Sequence, residues 1–221
     1  MAGAKPGVQS SQVVTVAEQR RERWRNGAGW TREISAAREG DDPSAPWQWR
    51  VSIAEIDADA PFSSFPGVER ELVLLSGNGL RLRFADGAVA ELLPPHDSLR
   101  FAGEREVTGE LLDGPTTDFN LMWRREAVAA SLWRRPLVGQ VELFVDPGET
   151  WLVHLIGGDA TFDGRCGLPP LQAGDTAVLR AGSGRTRFGL EGAGEALVIR
   201  IVPRPSPPAS VAAGRGTASS H

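Results

Sequence analysis

Apolar and polar positions alternate with a period of two along most of this chain, the spacing of a strand with one buried face. In "WQWRVSIAEI" (47–56), Val51 and Ile53 fall on one face and Arg50, Ser52 and Ala54 on the other. "RELVLLSGNGLRLRF" (70–84) reads as two strands joined in a hairpin at Gly77-Asn78-Gly79. "GAVAELL" (87–93), "EVTGELL" (106–112) and "DFNLMWR" (118–124) follow, then "GQVELFV", "ETWLVHLIGG", "GDTAVLRAG" and "EALVIRIV". No amphipathic helix of three turns stands out, and a short helix is expected at 16–22. With 26 glycines and 16 prolines between the strands, the pattern predicts an all-β sandwich or barrel.

The strands also suggest an internal repeat. "ERELVLLSGNGLRL" (69–82) aligns with "GETWLVHLIGGDATF" (148–162), each an apolar strand, a glycine turn and a second strand. Each is followed by a proline and an acidic turn. Two similar β units are therefore expected, over 13–135 and 136–202. Residues 1–12 and the Pro/Ser/Gly-rich stretch 203–221 have the composition of disordered ends, and 36–47 reads as a surface loop.

Composition narrows the function classes. Lys and Arg total 24 against 28 Asp and Glu, for a net charge of −4. No basic run is present to neutralise phosphates, which argues against nucleic acid. Lys5 is the only lysine, so positive charge is carried by guanidinium groups, which grip carboxylates with two prongs. Cys166 stands alone, which removes an internal disulfide and a multi-cysteine zinc site. No apolar run spans a bilayer, and the first twelve residues lack the apolar core of a secretory leader. A cytoplasmic protein without membrane contact is expected.

The strand pattern resembles the cupin fold, a small double-sheet β-barrel. The usual cupin metal signature is His-x-His-x4-Glu-x6-Gly, then Gly-x5-Pro-x-Gly-x2-His-x3-Asn. With its closing glycine on Gly77, the glutamate position falls on Arg70 and the histidine positions on Phe65 and Ser63. In the second unit, Gly174 opens the signature; the proline position becomes Arg180, Gly182 is kept, and the histidine position becomes Arg185. Imidazole and carboxylate are what a first-row metal needs, so neither a metal nor another cofactor is expected. More specifically, residues 13–202 resemble the HutD/Ves family of two-cupin (RmlC-like, jelly-roll) proteins. The resemblance rests on "WRNGAGWTREI" (24–34), "WRVSIAEID" (49–57), "PFSSFPGVERELVLLSGNGL" (61–80), "FAGE" (101–104) and "LLDGPTTDFNLMWRR" (111–125). It implies a bicupin associated with bacterial histidine utilisation or stress responses, with no assigned enzymatic activity.

"DFNLMWR" places Asp118, Asn120, Met122 and Arg124 on one face and Phe119, Leu121 and Trp123 on the other. A polar strand face is more often solvated than a pocket wall. Here two such strands lie in the family motifs, and Arg70 falls where a cupin holds its metal. These facts point to a pocket in which guanidinium groups replace the metal and bind an anion by charge-assisted hydrogen bonds. Arg50, Arg70, Asn120 and Arg124 are the candidate carboxylate ligands; Met122 and Phe62 are a candidate apolar wall, and Ser52 and Ser63 candidate donors. Asn26, Gly27 and Gly29 read as a tight loop at the barrel mouth. Trp24 and Trp30 pack it down, either as core or, for one of them, against the ligand. His96 reads as part of an exposed turn and His154 as a core histidine; Glu55, Asp57 and Asp59 read as solvent-facing.

The leading expectation is a non-enzymatic protein that senses or buffers a small anionic metabolite. By resemblance, the ligand would be an intermediate of histidine breakdown such as formiminoglutamate or urocanate. The alternatives are a metal-independent isomerase or hydrolase of a related acid, with Asp118, His154 or Glu106 as acid or base, and a protein-interaction regulator. Free edge strands leave a homodimer open.

Overall fold

The computed structural model describes residues 10–38 and 45–205. The tail beyond 205 and residues 39–44 of the expected 36–47 loop lie outside the described residues. Strand β1 (Gln12–Val14) leads into one 3-10 turn at Val16–Glu18, where a helix over 16–22 was expected. The remaining strands are β2 (Arg20–Arg23), β3 (Gly29–Arg38), β4 (Trp47–Ile56), β5 (Ala60–Pro61), β6 (Val68–Ser76), β7 (Leu80–Phe84), β8 (Val89–Leu92), β9 (Ser98–Ala102), β10 (Val107–Leu111) and β11 (Thr116–Arg124). The chain continues through β12 (Val128–Val145), β13 (Thr150–Phe162), β14 (Leu171–Gln172), β15 (Thr176–Arg180) and β16 (Thr186–Pro203). The fold is all-β, a two-unit cupin. No helix among the described residues is long and apolar enough to cross a membrane.

Three sheets stack. The central one has the order β2-β3-β4-β11-β6-β9, and its inner strands β4 and β11 are buried on both faces. Phe119, Leu121 and Trp123 of β11, with Val51 and Ile53 of β4, meet Leu152, Val178, Leu197 and Ile199 of the third sheet (β1-β15-β13-β16-β12, with β14 beside β13). That contact cements the two units. On its other face, Ala54, Ile56, Leu72 and Leu74 meet Leu80, Leu82, Phe84 and Val107 of the second sheet, β5-β10-β7-β8. Period-two alternation thus sends one set of β11 side chains to the inter-unit core and the other into the first barrel.

The expected hairpin at 77–79 is a crossover instead: β6 belongs to the central sheet and β7 to the second, where β7 pairs with β10 and β8. Gly77 has φ +101°, and a Cβ there would lie 2.7 Å from the Pro115 carbonyl oxygen. Glycine therefore serves a change of sheet here, with the same local sequence signal as a hairpin.

The second unit is built differently from the first. β12 and β16 pair without interruption from Val128↔Pro203 to Val145↔Thr186, so the short strands expected at 139–145 and 195–202 are parts of two 18-residue strands. The position 135/136 falls inside β12, and β1 joins the second unit by pairing with β15. Where the repeat placed a turn, β13 runs on through a bulge between Leu155 and Gly157. One face of this sheet supplies Leu137, Leu143, Val153, Leu155, Phe188 and Leu190 to one cluster, so the sheet is rolled onto itself. The roll passes through glycines whose backbones nearly touch: a Cβ on Gly158 would sit 1.9 Å from the Ala193 oxygen, and one on Gly194 2.0 Å from the Gly157 oxygen.

Candidate functional site

A cavity of about 440 Å³ opens at one end of the first barrel. Its back wall is the inward face of β4, β11 and β6, and strand register orders that wall in layers. Met122 lies between Arg50 and Arg70, Asn120 between Ser52 and Leu72, and Asp118 between Ala54 and Leu74. Arg50, Ser52, Ala54, Ile56, Arg70, Leu72, Asn120 and Met122 line the cavity. Asp118 is fully buried and does not line the cavity.

The β2–β3 hairpin covers the mouth. Trp24 N–H donates to the Gly29 carbonyl and Gly27 N–H to the Trp24 carbonyl, closing the loop, while Asn26 Oδ1 accepts from Ala28 N–H. Gly27 has φ +73°, and a Cβ on Gly29 would lie 2.3 Å from the Glu55 oxygen, so both positions require glycine. The two tryptophans divide the roles offered by the sequence. Trp24 lines the cavity, donates through Nε1 to Thr31 Oγ1 at 2.8 Å and meets Phe62 edge-on. Trp30 lies under the guanidinium groups of Arg21 and Arg23.

Arg70 is the unusual group. It is 5% exposed, and none of the described carboxylates pairs with it. Nη1 has one long hydrogen bond, 3.4 Å to the Ser63 carbonyl, and Nε has no partner among the described residues. Phe62, Phe65 and Phe101 surround the guanidinium at 5.2–5.8 Å. Burial, and then the nearby positive charge of Arg50, pull its pKa down to about 10, so it remains a cation at neutral pH. Arg50, by contrast, is paired with Glu33 at 2.8 Å.

Two buried side chains of β11 keep an unpaired acceptor, Asn120 in the cavity wall and Asp118 behind it. Asn120 donates through Nδ2 to Met122 Sδ at 3.5 Å, and its Oδ1 has no partner among the described residues. Asp118 accepts from Thr116 Oγ1 at 3.2 Å, and its Oδ1 has none among the described residues. Burial pushes the Asp118 carboxyl up to about 7.

Nine of the ten residues singled out in the sequence surround this cavity: Trp24, Asn26, Arg50, Ser52, Phe62, Ser63, Arg70, Asn120 and Met122. Arg124 does not. It sits at the end of β11, where its Nε donates to the Trp47 carbonyl and its guanidinium lies over the Trp47 ring. Sequence reasoning missed Glu22, Arg25 and Thr31, which reach the cavity through the β2–β3 hairpin. The alternation of "TRE" (31–33) was the available signal, since it carries Thr31 and Glu33 onto the face of Ala54 and Ser52.

Other candidates lie elsewhere. His154 is buried between the units, hydrogen-bonded to Thr176 Oγ1 and packed on Phe119, and burial lowers its pKa to about 4. His96 is not exposed: Nδ1 meets the Leu74 carbonyl at 3.0 Å and Nε2 lies 3.4 Å from Glu195. Glu55 is held by Arg21 and Arg32 rather than facing solvent freely, and Asp59 accepts from Leu111 N–H. Arg185 pairs with Asp146 on the surface. Among the described residues, no three of His, Cys, Asp and Glu cluster to hold a metal ion. A wall carrying two guanidinium groups does not fit a divalent cation.

Comparison with known proteins agrees with this architecture. An uncharacterised 21.2 kDa protein from the hutC 3' region of Pseudomonas putida is 38% identical over 109 residues, 49% of this chain and 56% of that protein. The protein Ves of Cronobacter sakazakii is 42% identical over 110 residues, 49% of this chain and 58% of that protein. The matched region is thus somewhat over half the length of these relatives. The structure of HutD from Pseudomonas fluorescens SBW25 (formate condition) superposes with a TM-score of 0.75 at 27% identity, over 89% of this chain and all of that one. The model of the HutD family matches residues 16–198, and the chain belongs to that family.

Proposed function

We propose that this protein binds a small anionic metabolite in the first-barrel cavity and acts as a sensor or buffer of it. The observation that carries this reading is Arg70, a buried cation with no carboxylate partner among the described residues. Burying an unpaired charge is strongly unfavourable. A fold retains one where a ligand supplies the missing charge, and a carboxylate matches a guanidinium in both shape and hydrogen bonding. The three phenylalanines exclude water around the ion pair, which strengthens it. Because relatives carry the names HutD and hutC-region protein, intermediates of histidine breakdown, formiminoglutamate and urocanate, are the first ligands to test.

The test is a thermal-shift panel of histidine, urocanate, formiminoglutamate, formylglutamate, glutamate and simple carboxylates, each with and without divalent metal. A ligand at a hundred times its dissociation constant adds about 2.7 kcal/mol of stability. A shift with one acid and none with metal supports the reading. A shift that requires metal, or no shift with any acid, contradicts it.

A further inference from the structure

The second unit has a cavity of its own, and its chemistry differs from that of the first. About 330 Å³ opens on the concave face of the rolled sheet, over Leu143, Val153 and Leu190. Its walls are apolar and carry one charged side chain, Arg135. Period-two alternation along β12 sets Trp133, Arg135 and Leu137 on that face. β12 is the edge of its sheet, so this row forms one lip of the cavity. Neighbouring arginines divide between the two faces of the strand. Arg134 pairs with Glu195 at 2.9 Å, whereas Arg135 is exposed and pairs with no carboxylate among the described residues. Trp133 is 38% exposed and stacks on Trp151 of β13, with ring centroids 6.4 Å apart and planes at 28°. Register carries the same layer across the sheet: Trp133 stands opposite Val198, Val198 opposite Val153, and Arg135 opposite Ala196. Leaving an indole face and an apolar hollow open to water forgoes burial energy. Exposed apolar surface joined to a cavity marks a binding site.

We propose that the second-unit cavity binds a small planar amphipathic anion, an aromatic carboxylate whose ring lies on the Trp133–Trp151 stack and whose acid meets Arg135. The indoles set the shape of the ligand, the cavity its size, and the single guanidinium its charge. The two units then differ in kind. In the first, a buried cation calls for a compact anion. In the second, apolar area supplies most of the affinity, and an exposed cation orients the ligand. This site does not depend on the reading of the first cavity.

Calorimetric titration of the full chain with 2-naphthoate and with 2-naphthalenemethanol, its neutral counterpart, tests it. Wild type is expected to bind both, and the acid more tightly by about threefold. Trp133→Ala is expected to weaken both by about tenfold or more, and Trp133 is exposed enough for the fold to survive its loss. Arg135→Glu, which leaves the apolar walls intact, is expected to abolish or reverse the preference for the acid while the alcohol binds as before. Arg70→Met, in the first cavity, is expected to leave the Trp133-dependent binding unchanged. Binding of neither compound, binding indifferent to Trp133→Ala, or an acid preference that survives Arg135→Glu overturns the proposal. So does loss of binding in Arg70→Met, which would place the ligand in the first barrel. Sedimentation velocity checks the remaining occupant: self-association of ligand-free wild type that Trp133→Ala abolishes would make this face an interface between copies, and would overturn the proposal too.

Discussion

Asp118 and His154 carry opposite pH signatures, and removing each in turn tests the burial that the fold assigns to both. Asp118 titrates near 7 in the folded protein and near 3.8 when unperturbed. Between those values the folded chain holds a proton that the unfolded chain has released, so this residue lowers stability as pH rises through the window. His154 titrates near 4 when folded and near 6.5 when unperturbed. Between those values the unfolded chain takes up a proton that the folded chain does not, so this residue raises stability as pH rises. Each slope is about 1.4 kcal/mol per pH unit, and the two nearly cancel between about pH 4 and 6.5. Asp118→Asn removes the destabilising contribution: relative to wild type, its stability is expected to rise by roughly 3 kcal/mol from pH 4.5 to 6.5. His154→Gln is expected to show the mirror image, falling by a similar amount. Urea denaturation of the three proteins at pH 4.5, 5.5 and 6.5 reads this directly, because the difference from wild type cancels the many surface carboxylates. A flat difference for Asp118→Asn would mean that the carboxyl is solvated and titrates normally, and would refute its burial in the first barrel.

Two further expectations concern the fold. Gly194→Ala places a Cβ against the Gly157 carbonyl at 2.0 Å, where neither strand backbone can give way; a loss of about 2 kcal/mol or more is expected in thermal melts, and a neutral result would refute the tight roll of the second unit. Phe119→Ala removes a fully buried ring from the core joining the units, and chemical denaturation should show a loss of about 3–5 kcal/mol.

Much of the first barrel was legible because β4 and β11 are buried on both faces but differently on each. In "RVSIA" and "DFNLMWR" the apolar set went to the inter-unit core, and Arg50, Ser52, Asn120 and Met122 of the other set went to the cavity, which period-two alternation alone separates. Arg70 was found because it takes a metal-ligand position in a shared spacing. Other features were illegible for physical reasons. Gly77-Asn78-Gly79 has the chemistry of a hairpin, and only tertiary packing decides that the next strand joins another sheet. The 18-residue β12 and β16 look like separate strands because a rolled sheet changes its exposure along its length. Arg124 shares the parity of Met122 but lies past the barrel rim, where Trp47 offers it a nearer partner. His96 sits in a run of turn residues, and its burial comes from Glu195, about a hundred residues away in sequence.

The measurement closest to the central claim compares wild type with Arg70→Met, by melting without ligand and by calorimetric titration with urocanate and formiminoglutamate. Methionine keeps an unbranched apolar stem and removes a buried charge, so the ligand-free variant is expected to be more stable than wild type, by about 1 kcal/mol or more. Its binding of the acid that wild type takes up is expected to fall at least a hundredfold, since a buried charge pair loses one member. A variant that is both more stable and unable to bind identifies Arg70 as a residue held for its ligand at the expense of the fold. A variant that binds as wild type does contradicts the account.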